Sequence, residues 1–419
     1  MIHIYIHRRA ADATCGVPVS LAVERWALNV DLDVNAANPQ LVEFIRAKIA
    51  REGPVSFAWF MERALYHPQL GYYSSGRAEL GRHGDYFTNV SVGPVFGKLL
   101  ALQFNQVWQE LGRPSELIVV EQGAHDGVLA ADVLTALETD APACFAAVRY
   151  RIIEPFPMLR ERQMGSLSKL ADRVEWFESP ETIEDFIGIH FSNELADAMP
   201  VHLVRRAEGR GPNQSPEWLE KFVDWHNDRF VFVEHPVSDA RLRAELKTFP
   251  LLPAGFEMEI NLVVLDWIEL LSRKLSRGYV VIFDYGFTKQ ELSALRHRAG
   301  TLQCRVKHQL LDSPFDCVGN CDITAHVYWT GLAEKAQNQN LDIAGFTDQH
   351  HFLTGIMSEH PDLVRPNDHK MRRQLQTLLH PEMMGRTFQA LALSRGIGSD
   401  VTLSGFKFAR PARQQLGIG

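Results

Sequence analysis

Cysteine is scarce in this chain: five residues in 419, at Cys15, Cys144, Cys304, Cys317 and Cys321. An odd, sparse set excludes a disulfide framework. Cys317 and Cys321 lie four apart, but no second Cys/His pair stands nearby at zinc-like spacing, so both read as incidental thiols and no metal is expected. Long apolar runs are missing too; none approaches the roughly 18 residues that cross a bilayer. The first 33 residues contain Arg8 and Arg9 without a continuous apolar stretch, which argues against a secretory signal. A cytoplasmic, reduced protein is therefore expected. Positive charge is in deficit, 43 Lys and Arg against 51 Asp and Glu, for a net charge of −8. Nucleic-acid binding through a basic face is disfavoured by that balance. What is present, 46% hydrophobic and 22% charged residues, excludes a disordered tail, a collagen-like fibre and a coiled coil.

At about 150 residues per domain the length predicts two or three domains. Residues 1–35 are a poorly patterned extension. Apolar residues at helical spacing (Leu41, Phe44, Ile45, Ile49) predict a helix over 39–50, and a second over 56–66 with Ser56 as its N-cap. Residues 71–84 hold four glycines among polar residues, a loop of the kind that serves ligands. Short apolar runs follow: Leu117-Ile-Val-Val-Glu121, Tyr150-Arg-Ile-Ile-Glu154, 174–177, 188–193 and Tyr279-Val-Val-Ile-Phe-Asp284. Alternating with helical stretches, they predict an α/β fold whose parallel sheet is covered on both faces. Aromatic residues among charges from 200 to 254 suggest inserted antiparallel strands. Residues 322–380 read as helical, and 388–393 with 404–408 as a closing hairpin. The predicted parts are an extension (1–35), a helical and glycine-loop region (36–112), a sheet domain (113–199 with 278–419) and an inserted substrate-binding subdomain (200–277).

In such a sheet, ligands bind beyond the carboxyl ends of the strands. The first strand runs into Glu121-Gln-Gly-Ala-His-Asp-Gly127, where Gly123 permits a tight turn and Gly127 a close approach. Glu154, closing the second strand, is placed to accept hydrogen bonds from a ribose diol. A glycine turn followed by such an acid is the layout of an adenosine-cofactor site; the alternative is a purely structural strand–turn–helix connection. The turn lacks G-x-G-x-x-G and is flanked by Glu121 and Asp126, which disfavours a pyrophosphate and suits a cationic cofactor such as the sulfonium of S-adenosylmethionine. Further on, Asn193-Glu-Leu-Ala-Asp-Ala-Met-Pro200 puts Glu194 and Asp197 three apart, on one face if the segment is helical. Two carboxylates there would hold a guanidinium or stabilise its departing proton; the alternative is a solvated helix start.

Six segments in order, Gly84-Asp-Tyr-Phe-Thr88 with Phe96-Gly97, Glu121-x-Gly-x-x-x-Gly127, Asn193-Glu-x-x-Asp-Ala-x-Pro200, Ile282-Phe-Asp-Tyr-Gly286, Gly300-Thr-Leu302 and Asp322-Ile-Thr-Ala-His-Val327, resemble the MidA-like family of class I S-adenosylmethionine-dependent methyltransferases. That family includes a protein arginine methyltransferase of mitochondrial complex I assembly. The resemblance implies a Rossmann-like methyltransferase sheet with an inserted substrate subdomain and an N-terminal helical region. It implies S-adenosylmethionine as cofactor, a protein substrate, and methyl transfer to an arginine nitrogen. It puts Gly123, Gly127 and Glu154 on cofactor positions, with Glu121 and Asn193 beside them. Gly84, Asp85 and Thr88 fall in the loop at the mouth of the site, and Glu194 and Asp197 face the acceptor as the catalytic pair. Glu257 and Glu259 would add acidity there, while His308 and the 322–326 segment match a late motif of unassigned role. Two departures stand out: His125 replaces the middle glycine of the turn, and Asn89-Val90-Ser91 replaces Ser-Pro-Glu. With a changed turn, an inactive assembly factor on the same fold and a small-molecule N- or O-methyltransferase are the alternative functions.

Overall fold

Seven strands alternate their apolar side chains between two helical layers, and that alternation fixes the architecture. In order they are β1 (Leu117–Gln122), β2 (Val148–Ile153), β3 (Val174–Phe177), β4 (Phe186–Asn193), β5 (Leu275–Asp284), β6 (Asp342–Asp348) and β7 (Gln389–Arg395). The computed structural model describes residues 37–76, 88–208, 217–237, 239–294, 299–307, 309–364, 367–398 and 400–419. The expected extension at 1–35 lies outside them. Across the sheet the order is β3-β2-β1-β4-β5-β7-β6, and only β7 runs antiparallel to its neighbours. Within β5, Tyr279, Val281 and Phe283 enter one core while Val280 and Ile282 enter the other, the period-two signature of a sheet covered on both faces.

Helices α1 (Pro39–Glu52) and α2 (Phe57–Tyr66) precede the sheet, and α3 (Val95–Glu110) and α4 (Val128–Asp140) cover its first face. The second face is covered by the helices Leu262–Lys274 and Trp329–Asn338. Ser56 caps α2 as predicted, its side chain accepting from the Trp59 amide at 3.2 Å.

The region after Pro200 is antiparallel, as its aromatic pattern suggested. Strands His202–Arg206, Trp218–His226, Arg229–Pro236 and Glu257–Ile260 form a second sheet, and the two residues Val55–Ser56 add to it by pairing with Val223 and Phe222. A third core thus joins α1 and α2 to this inserted sheet and to the segment around Cys304, Cys317 and Cys321, three buried thiols. Residues 34–419 form one unit, so the inserted strands and the N-terminal helices pack as parts of the sheet domain.

Two expectations need correction. Residues 322–380 are not helical throughout, because β6 lies among them. The 404–408 segment makes no hairpin with β7, since β5 and β6 already occupy both edges of that strand; residues 404–406 form a single helical turn instead. No helix among the described residues is long and apolar enough to cross a membrane.

Phe283 stands where these layers meet, fully buried, its ring 4.8 Å from that of Phe352, 5.5 Å from Phe96 and 5.8 Å from Phe191. Truncation there leaves a void that rigid neighbours cannot fill. Phe283→Ala should lower unfolding stability by about 3–5 kcal/mol, read in urea titrations as an earlier midpoint with an unchanged slope.

Candidate active site

The chain fills β1, β2 and β3 in one direction and then crosses to the other side of β1 to form β4. A crevice opens where the order reverses, at the carboxyl ends of β1 and β4. Of the predicted residues, Thr88, Glu121, Gly123, Glu154, Asn193 and Glu194 line it. A cavity of about 810 Å³ extends from Gly123, His125 and Glu154 past Glu194 and Leu195 to Trp59, Glu62, Tyr66 and Tyr73, and a smaller one of about 50 Å³ behind it is lined by Thr88, Glu121, Gly123, His125, Asn193 and Glu194.

The turn after β1 is built by backbone conformation. Gly123 has φ +84° and Gly127 φ +79°, both in the left-handed region that favours glycine. His125 also sits there, at φ +47°. It keeps the backbone shape of a glycine turn while adding an imidazole that lines both cavities. A Cβ on Gly123 would press on Leu195 at 3.2 Å; one on Gly127 would meet the Cα of Gln163 at 3.1 Å. Gly127 therefore serves a helix contact rather than the cavity wall, a role its spacing did not disclose.

Glu121 is buried, with the Tyr150 hydroxyl donating to its Oε2 at 2.7 Å. Desolvation raises its pKa to about 7, against the lowering effect of that hydrogen bond. Glu154 is buried as well; its Oε1 accepts from the Phe156 amide and its Oε2 from the Gln163 amide, each at 3.0 Å. Burial pushes its pKa up despite these donors. Asn193, ending β4, accepts from the fully buried Asn89 at 3.1 Å and donates to Glu194 Oε1 at 3.1 Å. Glu194 also accepts from the Asn89 backbone amide. The departure at Asn89 is thus part of the scaffold around Glu194. Thr88 is buried and bonded to Ser91 at 3.1 Å. Gly84, Asp85 and His308 lie outside the described residues.

Glu194 and Asp197 do not share a helical face. Residues 194–199 form a turn, with Glu194 left-handed at φ +53°. The cause is Asp284 at the end of β5, whose Oδ2 accepts from the amides of Ala196 (2.9 Å) and Asp197 (3.2 Å) and draws the chain into that turn. Glu194 lines the cavity, whereas Asp197 is buried behind it, bonded to the Tyr285 hydroxyl. Burial, and then the neighbouring Asp197, hold the pKa of Glu194 well above the carboxylate range; burial and Asp284 do the same for Asp197. Asp284 itself is raised to about 8, chiefly by burial. Glu257 and Glu259 are not in the pocket wall: Glu257 pairs with Lys221 at 2.6 Å, and Glu259 accepts from the amides of Thr301 and Leu302 and from the Thr301 hydroxyl.

Several contributors were not singled out in the sequence. The Tyr66 and Tyr73 rings stack 5.4 Å apart along the cavity; Tyr66 donates to the Ala198 carbonyl at 2.9 Å and Tyr73 to Asp322 at 2.6 Å. The i, i+3, i+7 spacing of Trp59, Glu62 and Tyr66 on α2 is the signal that could have shown one face of that helix turned to a ligand. Gln163 had no such signal. No lysine or arginine is among the described residues lining the large cavity. That donor set, acids and aromatic rings around a glycine turn, fits a cofactor carrying positive charge and a ribose.

Comparison with known proteins agrees. The family model for S-adenosyl-L-methionine-dependent methyltransferases (Methyltransf_28) matches residues 99–347. A solved structure of a COG1565 superfamily member from Burkholderia thailandensis, bound to S-adenosyl-homocysteine, is 31% identical, with a TM-score of 0.80 over 94% of this chain and 98% of that one. The protein arginine methyltransferase NDUFAF7, mitochondrial, is 26% identical in Homo sapiens, covering 90% of this chain and 88% of the relative; in Danio rerio it is 26% identical, covering 85% and 87%. With a reversed strand order opening beside a glycine turn, and S-adenosylmethionine as the cofactor its relatives imply, this chain belongs to the family of S-adenosylmethionine-dependent methyltransferases.

Proposed function

We propose that the enzyme methylates a guanidinium nitrogen of a protein arginine. The observation that carries this reading is a large cavity joining the Gly123 and Glu154 end to a wall of Glu62, Tyr66, Tyr73 and Glu194, without a described lysine or arginine in its lining. The naming of relatives as protein arginine methyltransferases supports it. Glu154 would hold the ribose diol, and the turn at Gly123 would admit the methionine portion. The bound cofactor supplies an activated methyl group on a sulfonium. Glu194 receives the acceptor: its carboxyl, whose pKa burial and Asp197 hold up, is drawn to ionise opposite a guanidinium and fixes the planar fork. As the nitrogen–methyl bond forms and the sulfur–methyl bond breaks, the nitrogen must lose a proton, and Glu194 is the cavity carboxylate placed to take it. Asp197 and Asp284 act from behind, holding the turn that presents Glu194.

A methyl-label transfer assay on lysate from a strain lacking the protein tests the acceptor class. Labelled polypeptide yielding methylarginine on acid hydrolysis is expected; label confined to small molecules would sink the reading. Glu194→Gln should cut transfer by about 10²-fold or more while S-adenosylmethionine binding, followed by calorimetry, persists.

Glu121 adds a pH signature. With its pKa near 7, the acid is largely protonated at pH 6 and ionises as pH rises, and a cationic cofactor favours the ionised form. Affinity for S-adenosylmethionine should therefore tighten between about pH 6 and 7.5, and Glu121→Gln should flatten the profile. A flat wild-type profile would contradict the assignment.

A further inference from the structure

Gln163 lies on α5 (Pro157–Ser166), fully buried and outside the lining of either cavity. Its side-chain amide nevertheless reaches both halves of the cofactor end. Nε2 donates to Glu154 Oε2 at 3.0 Å and to the His125 carbonyl oxygen at 3.0 Å, while Oε1 accepts from Trp176 Nε1 at 3.0 Å. An indole N–H only donates, so Trp176 dictates which end of the amide faces it. The oxygen must point to Trp176 and the NH₂ to the acid and the turn. Both amide hydrogens are then used. The main chain of Gln163 also abuts the turn, lying 3.1 Å from where a Cβ on Gly127 would stand.

We infer that Gln163 is a positioning residue: one amide, oriented by Trp176, holds the Glu154 carboxylate and the carbonyl of the glycine turn at a fixed separation, and so sets affinity for the cofactor. The inference rests on the cofactor lying across Gly123 and Glu154, whatever the acceptor. Glu154 at the end of β2 and His125 after β1 belong to different loops, and this amide bonds to both. An anchor for α5 alone would change stability without changing what Glu154 contributes to binding.

Calorimetric titration of S-adenosylmethionine into wild type, Gln163→Met, Trp176→Phe, Glu154→Gln and the Glu154→Gln/Gln163→Met double variant separates the two roles. Gln163→Met keeps the side-chain length without donors and should weaken binding about tenfold, the weight of one charge-assisted hydrogen bond. Trp176→Phe, which removes the orienting donor together with part of the indole ring, should weaken it in the same direction by a smaller factor. The cofactor KM should rise in both, with kcat at saturating cofactor changing by less than about twofold. Glu154→Gln should cost a much smaller factor in the Gln163→Met background than in wild type, because the carboxylate is no longer held there. Equal costs in both backgrounds, or Gln163→Met and Trp176→Phe both binding within about twofold of wild type, would overturn the inference. Should Gln163→Met fail to fold, Trp176→Phe decides by the same criterion. A wild-type protein that binds no S-adenosylmethionine would overturn this inference and the cofactor placement together.

Discussion

Carboxylates crowded at one edge of a sheet are the constraint on which this structure turns. Glu121, Glu154, Glu194, Asp197 and Asp284 all lie at or just beyond the carboxyl ends of β1, β2, β4 and β5. Like charges so placed cannot all ionise in a poorly solvated crevice. The chain answers in two ways. All five receive hydrogen bonds from amides or a tyrosine. All five also hold their protons above the ordinary carboxylate range. A cationic ligand relieves the same repulsion, so crowding of these acids favours cations in the crevice.

Around this edge the remaining layers act as a casing. The first and second cores press helices onto both faces of the sheet and fix the strand ends in register. The third core brings α2 over the crevice, with Trp59, Glu62 and Tyr66 turned inward. Asp284 illustrates how the casing becomes chemistry. A residue outside the cavity lining shapes the 194–199 turn through two amide bonds and so decides that Glu194, not Asp197, lines the cavity.

Much of this was legible in the residues. Continuous apolar runs marked the strands, Gly123 announced its turn and Glu154 its position at a strand end, because each follows from local pattern. The relation of Glu194 to Asp197 was not legible: three-residue spacing suggests a helix, and what prevents one is a carboxylate almost ninety positions away. β6 escaped notice because its glycine and polar residues, and its pairing to an antiparallel neighbour, leave no apolar run. Gln163 looked like any polar helical residue, since its partners come from a turn and a strand that meet only in the folded chain.

The pairing of Val55–Ser56 with the inserted sheet carries a consequence for how the molecule is assembled during synthesis. The strand that leads into α2 has its partner at Val223 and Phe222, and Tyr73 bonds to Asp322 across 249 positions. The first-made wall of the cavity thus waits for the last third of the chain before it is complete. Contacts so distant in sequence are slow to close. Until they do, the apolar faces of α1 and α2 lack the partners that bury them in the third core.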